Sequence, residues 1–280
     1  SASANSATPY GFLTICSTMA WGLGYFGMPH ILLRFMAIED TQKLTLSRRI
    51  ATVWVVISMT VAIFIGVVGY SVSKVGAVPV LEGSASETII VQIANLLSQS
   101  NILTALVAGV ILAGILAATM STADSQLLAA SSSVSHNLLQ TFFGIKMSEK
   151  KAMTVARCSV VVISIIAAFI ARDPASSVFA IVSFAWAGFG AAFGPVVLTA
   201  LFWRRSNKQG ALAGMVAGGA MVFLWKYFVR PMGGAWNIYE LLPAFLVSFA
   251  AIIIVSLMTK APEKEVTDVF DRVKMMCTGK

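Results

Sequence analysis

Apolar residues run along this chain in stretches too long for the interior of a small soluble domain, with short polar and basic segments between them. Seven such stretches can be drawn, at residues 10–35, 51–72, 102 to about 137, 155–171, 175–203, 210–229 and 238–259. Most are close to or above the ~20 residues that a helix needs to cross the hydrocarbon core of a bilayer. The pattern predicts an all-α membrane protein with about seven transmembrane helices. Between the second and third spans, Ser84-Ala85-Ser86-Glu87 has the form of a capping box. The apolar positions after it, Ile89, Ile90, Val91, Ile93, Leu96 and Leu97, form one face over three turns. An outer amphipathic helix is therefore expected in the 73–101 connection, lying across the bundle mouth as a lid or resting on the lipid interface.

The first span is interrupted. Trp21-Gly22-Leu23-Gly24-Tyr25-Phe26-Gly27-Met28-Pro29-His30 sets three glycines and a proline inside an apolar run. Each interior Gly costs about 1 kcal/mol of helix propensity relative to Ala and a Pro about 3. In lipid, a broken backbone survives only where its freed polar groups face protein, water or a ligand, so residues 21–30 are expected to form an unwound binding segment. A Pro kink with glycines that admit close helix packing is the other reading. Trp21, Tyr25 and Pro29 fall at i, i+4 and i+8 and would share a face of a continuous helix. Aromatic rings beside half-helix ends suit a small ligand with an apolar body and charged ends.

The third span carries Ala118-Thr119-Met120-Ser121-Thr122-Ala123-Asp124-Ser125-Gln126. The Ser121 and Thr122 hydroxyls, with the Ala118 carbonyl a turn earlier, are hard oxygen donors of the kind an alkali cation prefers. Alternatively each hydroxyl bonds the carbonyl four residues back. Asp124 favours the first reading, because an intramembrane carboxylate marks an ion or proton path unless a basic residue elsewhere pairs with it. In span five, Ala185 to Pro195 is rich in small residues, which permit tight helix packing, with a ligand contact as the other reading; in span six Gly210, Gly214 and Gly218 recur every four residues as a helix-packing stripe. Asp173 and Pro174 read as cap and first residue of span five. Tyr239 and Glu240 open span seven, where they are expected to reach water.

Charge orients the chain. The sequence is 58% hydrophobic and 11% charged, with a net charge of +8. Sixteen of its twenty Lys and Arg residues fall in one alternate set of connections, and four (Lys74, Arg172, Lys226 and Arg230) in the other. The positive-inside rule then places the N-terminus of the chain outside and its C-terminus in the cytoplasm. The basic excess is accounted for by this asymmetry and by anionic membrane lipid, so no nucleic-acid partner is required. Cys16, Cys158 and Cys277 lack metal-site spacing and are expected as free thiols. The chain begins without an initiator Met or signal peptide, as a piece of a longer protein would, and residues 261–280 read as a charged tail. Neither His30 nor His136 has an evident nucleophile or metal partner, which argues against an enzyme.

The runs WGLGYFGMPHILLRFMA, AATMSTADSQLL and SFAWAGFGAAFGPVVL closely resemble the sodium/solute symporter family, and within it the sodium/proline symporters, over essentially all 280 residues. The resemblance implies an inverted-repeat fold of five plus five helices, of which this chain is the second half. On that basis 1–203 is the second repeat, 204–260 holds two peripheral helices and 261–280 is a cytoplasmic tail. It further implies a cell-membrane transporter coupling sodium influx to proline uptake. Trp21, Tyr25 and Pro29 match proline-binding positions, and Ala118, Ser121 and Thr122 match sodium ligands. Asp124 and Ser125 fall where some relatives hold a second sodium. The match departs at Asp124, since the close proline symporters carry no acid there. The remaining sodium ligands belong to the first repeat, whose absence predicts that this chain alone does not transport. A symporter for another small solute, or the membrane module of a sensor, are the alternatives.

Overall fold

The computed structural model describes residues 11–40, 42–172 and 177–278; among these no strand occurs and helices dominate. Among the described residues six helices are long and apolar enough to cross a membrane: Lys43–Lys74, Ile102–Phe142, Glu149–Ile170, Val178–Phe202, Lys208–Met232 and Leu241–Met258. The first sequence span is present as shorter pieces, α1 (Phe12–Met19), α2 (Trp21–Gly24), a 3-10 turn (Tyr25–Gly27) and α3 (Pro29–Met36). Its break is narrower than the ten residues expected. Only Met28 leaves helical geometry, with φ −84° and ψ 115°, which is where the following proline disfavours the α region.

The chain divides into two compact units, residues 34–178 and residues 1–33 with 179–280. In the first unit, α4 (Lys43–Lys74) is followed by a 3-10 turn (Gly83–Thr88), the amphipathic α5 (Ile89–Ser98) and α6 (Ile102–Ser132). Helix α5 packs on α4 and α6. Neither Glu82, the N-cap of the 3-10 turn, nor Thr88, the N-cap of α5, makes a side-chain cap. The 3-10 turn occupies the site of the expected capping box, and Glu87 instead accepts bonds from the Ser177 hydroxyl and the Val178 N–H, where a carboxylate suits a helix start. The box forms at Asn101, whose Oδ1 accepts from the N–H groups of Leu103 and Thr104 at 3.0 Å while Thr104 Oγ1 accepts from the Asn101 N–H. Beyond Ser132, α6 continues as a π-helical stretch to Phe142, making 41 residues. At 1.5 Å per residue that is about 60 Å, twice the hydrocarbon thickness. Helix α7 spans Glu149–Ile170. Asp173 and Pro174 lie outside the described residues.

The second unit is built around α8 (Val178–Phe202), α9 (Lys208–Leu224) and α10 (Leu241–Met258). The glycine stripe of α9 meets α10 and α8 as small residues predict: a Cβ at Gly210, Gly214 or Gly218 would lie 2.0–2.4 Å from Ser256, Ile252 or the Ala191 carbonyl. Ser248 donates to the Gly214 carbonyl at 2.9 Å, closing this contact with a hydrogen bond. Asn207 caps α9, accepting from the Gly210 N–H at 2.8 Å while its amide donates to Thr259 Oγ1 and the Lys260 carbonyl. The charged terminal segment carries α11 (Lys264–Thr278), tethered by a bidentate pair in which Arg204 Nε and Nη2 donate to Asp271 at 2.9 and 2.8 Å. These bonds hold the Asp271 carboxyl below the usual carboxylate range. Cys16 and Cys158 are free thiols, and the Cys277 side chain lies outside the described set.

Candidate functional site

The broken first span and α8 approach more closely than any side chain larger than hydrogen would permit. A Cβ at Gly24 would stand 1.9 Å from Trp186 Nε1, and one at Gly27 would stand 2.3 Å from the Phe189 carbonyl oxygen. On the α8 side, a Cβ at Gly190 would be 2.7 Å from Gly24 Cα. Gly24 and Gly27 therefore serve close packing, with the small residues of span five as their counterpart, whereas a Cβ at Gly22 would meet nothing within 4 Å.

This approach brings a cluster of rings together. Trp186 Nε1 donates to the Trp21 carbonyl at 3.0 Å. Trp21 stacks with Phe179, Trp186 and Tyr239 at centroid distances of 5.4, 5.6 and 5.8 Å. Tyr25 meets the edge of Trp186 at 4.9 Å and 83°. Trp21 is half-buried, whereas Tyr25 keeps 55% of its surface exposed and Pro29 is exposed. Trp21 and Tyr25 thus belong to one aromatic group; Pro29, beyond the break at Met28, opens α3.

Tyr239 and Glu240 do not reach water, contrary to their expected place at the interface. They are 7% and 1% exposed. Tyr239 donates its hydroxyl proton to the Ser183 carbonyl, and burial raises the pKa of that hydroxyl. Glu240 accepts from Arg230 Nη1 at 2.8 Å, which compensates a carboxylate withdrawn from solvent. Phe179 and Trp186 are not singled out by the sequence, and Tyr239 is legible there only as an interfacial residue. Trp186 sat inside a run legible mainly for its small residues, and Tyr239 looks like any interfacial tyrosine.

The candidate ion residues all lie on α6. Ala118, Ser121, Thr122 and Asp124 are exposed and Ser125 is half-buried. Thr122 Oγ1 donates to the Ala118 carbonyl at 3.1 Å, and Ser125 Oγ to the carbonyls of Thr122 and Ser121 at 2.9 and 3.3 Å. This is the back-bonding that membrane hydroxyls commonly adopt. A hydroxyl that donates keeps its lone pairs, so Thr122 and the Ala118 carbonyl retain acceptor capacity for a cation. The ring cluster and this run fall in different units. Two cavities, of about 260 Å³ beside Tyr70 and Ile89 and about 310 Å³ beside Phe189 and Phe223, are lined by none of these candidate residues.

Comparison with known proteins supplies the affiliation. The sodium:solute symporter family matches residues 4–218. The chain is 41% identical to the sodium/proline symporter of Haemophilus influenzae over 96% of its own length and 52% of the relative's. It is 40% identical to the high-affinity proline transporter PutP of Bacillus subtilis (92% and 52%) and 40% identical to the osmoregulated proline transporter OpuE of the same organism (90% and 49%). No solved structure matches the chain. The chain spans about half the length of the curated relatives it matches. With six helices among the described residues able to cross a bilayer, it is a multi-pass membrane protein, and it belongs to the sodium:solute symporter family.

Proposed function

We propose that the protein containing this chain is a secondary active transporter of the cell membrane that couples sodium influx to proline uptake. The supporting observation is the 41% identity, over 96% of the chain, to a relative named as a sodium/proline symporter. On this reading the chain is the second five-helix repeat (1–203) of an inverted-repeat fold, with two peripheral helices (204–260) and a cytoplasmic terminal segment (261–280). Helix α5 lies over the outer mouth as a lid. Proline sits against Trp21, Tyr25 and Pro29, its apolar ring on the aromatic faces and its charged ends near the helix termini. Sodium binds the Ala118 carbonyl and the Ser121 and Thr122 hydroxyls, the remaining donors coming from the first repeat. Asp124 and Ser125 offer a second ion position one turn along. Each ligand tightens the other's binding, as coupling requires.

The test is uptake of labelled proline into vesicles carrying the full-length protein, with and without a sodium gradient. Uptake should need sodium and collapse in Tyr25→Ala. Ser121→Ala with Thr122→Ala should raise the sodium concentration for half-maximal uptake far more than it changes proline recognition; unchanged sodium dependence refutes the ion assignment. Sodium-independent uptake would assign the coupling to protons through Asp124, and absence of proline uptake would reject proline as the solute.

A further inference from the structure

Tyr239 stands just before α10, in the region we assign outside the repeat, yet its contacts converge on the ring cluster. Its ring lies 5.8 Å from Trp21 and 16° from parallel. Its backbone N–H donates to Ser17 Oγ of α1 at 3.0 Å, and its hydroxyl donates to the Ser183 carbonyl of α8. One residue therefore holds the helix that leads into Trp21 and the helix that carries Trp186. Tyr239 is itself held. Glu240, 1% exposed, is paired with Arg230 at 2.8 Å, and Arg230 Nε donates to Asn237 Oδ1 at 3.2 Å. A carboxylate this far from water is retained only with its partner in place, so the pair fixes the backbone from which Tyr239 projects.

We infer that Tyr239 is a positioning residue for the solute site: it sets the orientation of the Trp21 ring by stacking on it and by bonding α1 to α8, and the Arg230–Glu240 pair keeps it there. This rests on the reading that Trp21 and Tyr25 face the solute. The consequence is specific. A change at Tyr239 alters the fit of the solute, because Trp21 shifts, while the ion-binding run on α6 keeps its own hydrogen bonds.

The test uses the full-length protein in proteoliposomes, with proline uptake measured over a concentration series at saturating sodium for Tyr239→Phe, Tyr239→Ala and Tyr25→Ala. Tyr239→Phe keeps the ring and removes only the hydroxyl bond. Its KM for proline should rise about 3- to 10-fold, the range that one neutral hydrogen bond commands, and further in Tyr239→Ala. Maximal rate per transporter and the sodium requirement should stay near wild type. A purely structural role would lower the amount of active transporter and leave KM alone, and that result overturns the inference. Should Tyr239→Ala fail to reach the membrane, Tyr239→Phe decides by itself. A raised KM in Tyr25→Ala with unchanged KM at Tyr239 rejects the positioning role only; unchanged KM in all three variants rejects the site itself.

Discussion

Replacing Gly24 by Ala tests whether the broken span and α8 are locked together. The new Cβ would stand 1.9 Å from Trp186 Nε1, 2.3 Å from its Cδ1 and 2.7 Å from its Cε2, so the indole must move. Moving it breaks the 3.0 Å bond to the Trp21 carbonyl and disturbs the Trp21 and Tyr25 ring contacts. Overpacking of this kind costs about 1–3 kcal/mol, and a lost internal hydrogen bond about 1 kcal/mol more. The sum, about 2–4 kcal/mol, should lower the unfolding midpoint of the purified protein by roughly 5–15 °C at ~2–4 °C per kcal/mol. The decisive comparison is a double-mutant cycle with Trp186→Ala, which removes the ring that the new methyl strikes. In that background Gly24→Ala should cost little, giving a coupling energy of about 2 kcal/mol. Additive midpoints, or a Gly24→Ala protein that melts with wild type, would refute the close-packing argument.

Other outcomes follow from the same packing. Gly218→Ala sets a Cβ 2.4 Å from the Ala191 carbonyl, backbone that cannot yield, whereas a Cβ at Gly219 would meet no neighbouring group within 4 Å. The first should lower thermal stability by about 1–3 kcal/mol and Gly219→Ala should not, so equal midpoints would count against the α8–α9 contact. Arg230→Ala leaves the Glu240 carboxylate buried and unpaired, a loss of about 3 kcal/mol that Glu240→Gln in the same chain should partly restore; thermal unfolding of the two variants checks this. Asp271, with a carboxyl pKa lowered by its bonds from Arg204, should hold α11 fully above pH about 4 and release it as the pH falls through its depressed value. Spin-label distances between α11 and the 203–207 loop should lengthen in acid and, at neutral pH, in Arg204→Gln. No change in either condition would dismiss the tether.

Much of this protein is set by local pattern. Long apolar runs dictate membrane helices, since a backbone surrounded by lipid must satisfy its hydrogen bonds internally. The glycine spacing of 210–218 foretells the helix contact that forms, because only small residues permit backbones to approach so closely. The break near Pro29 was also legible, although its confinement to Met28 was not: helical bonds resume wherever sterics permit, and only the residue before a proline is pushed out. Local pattern misled at Ser84–Glu87, where Glu87 satisfies the start of a helix about ninety residues away in place of its own. Within the charged terminal segment, apolar positions Val266, Val269, Phe270 and Val273 follow the helical period of α11.

The ring cluster belongs to the other category. Trp21, the Phe179 and Trp186 pair of α8, and Tyr239 come from three distant parts of the chain, and no local spacing joins the three. The sequence by itself determined the membrane helices, their small-residue contacts and the family. Only the tertiary structure decided that Tyr239 and Glu240 turn inward, because burial of a hydroxyl and a carboxylate depends on whether Ser183 and Arg230 arrive to partner them. Such partners are supplied by folding and are invisible to any local window.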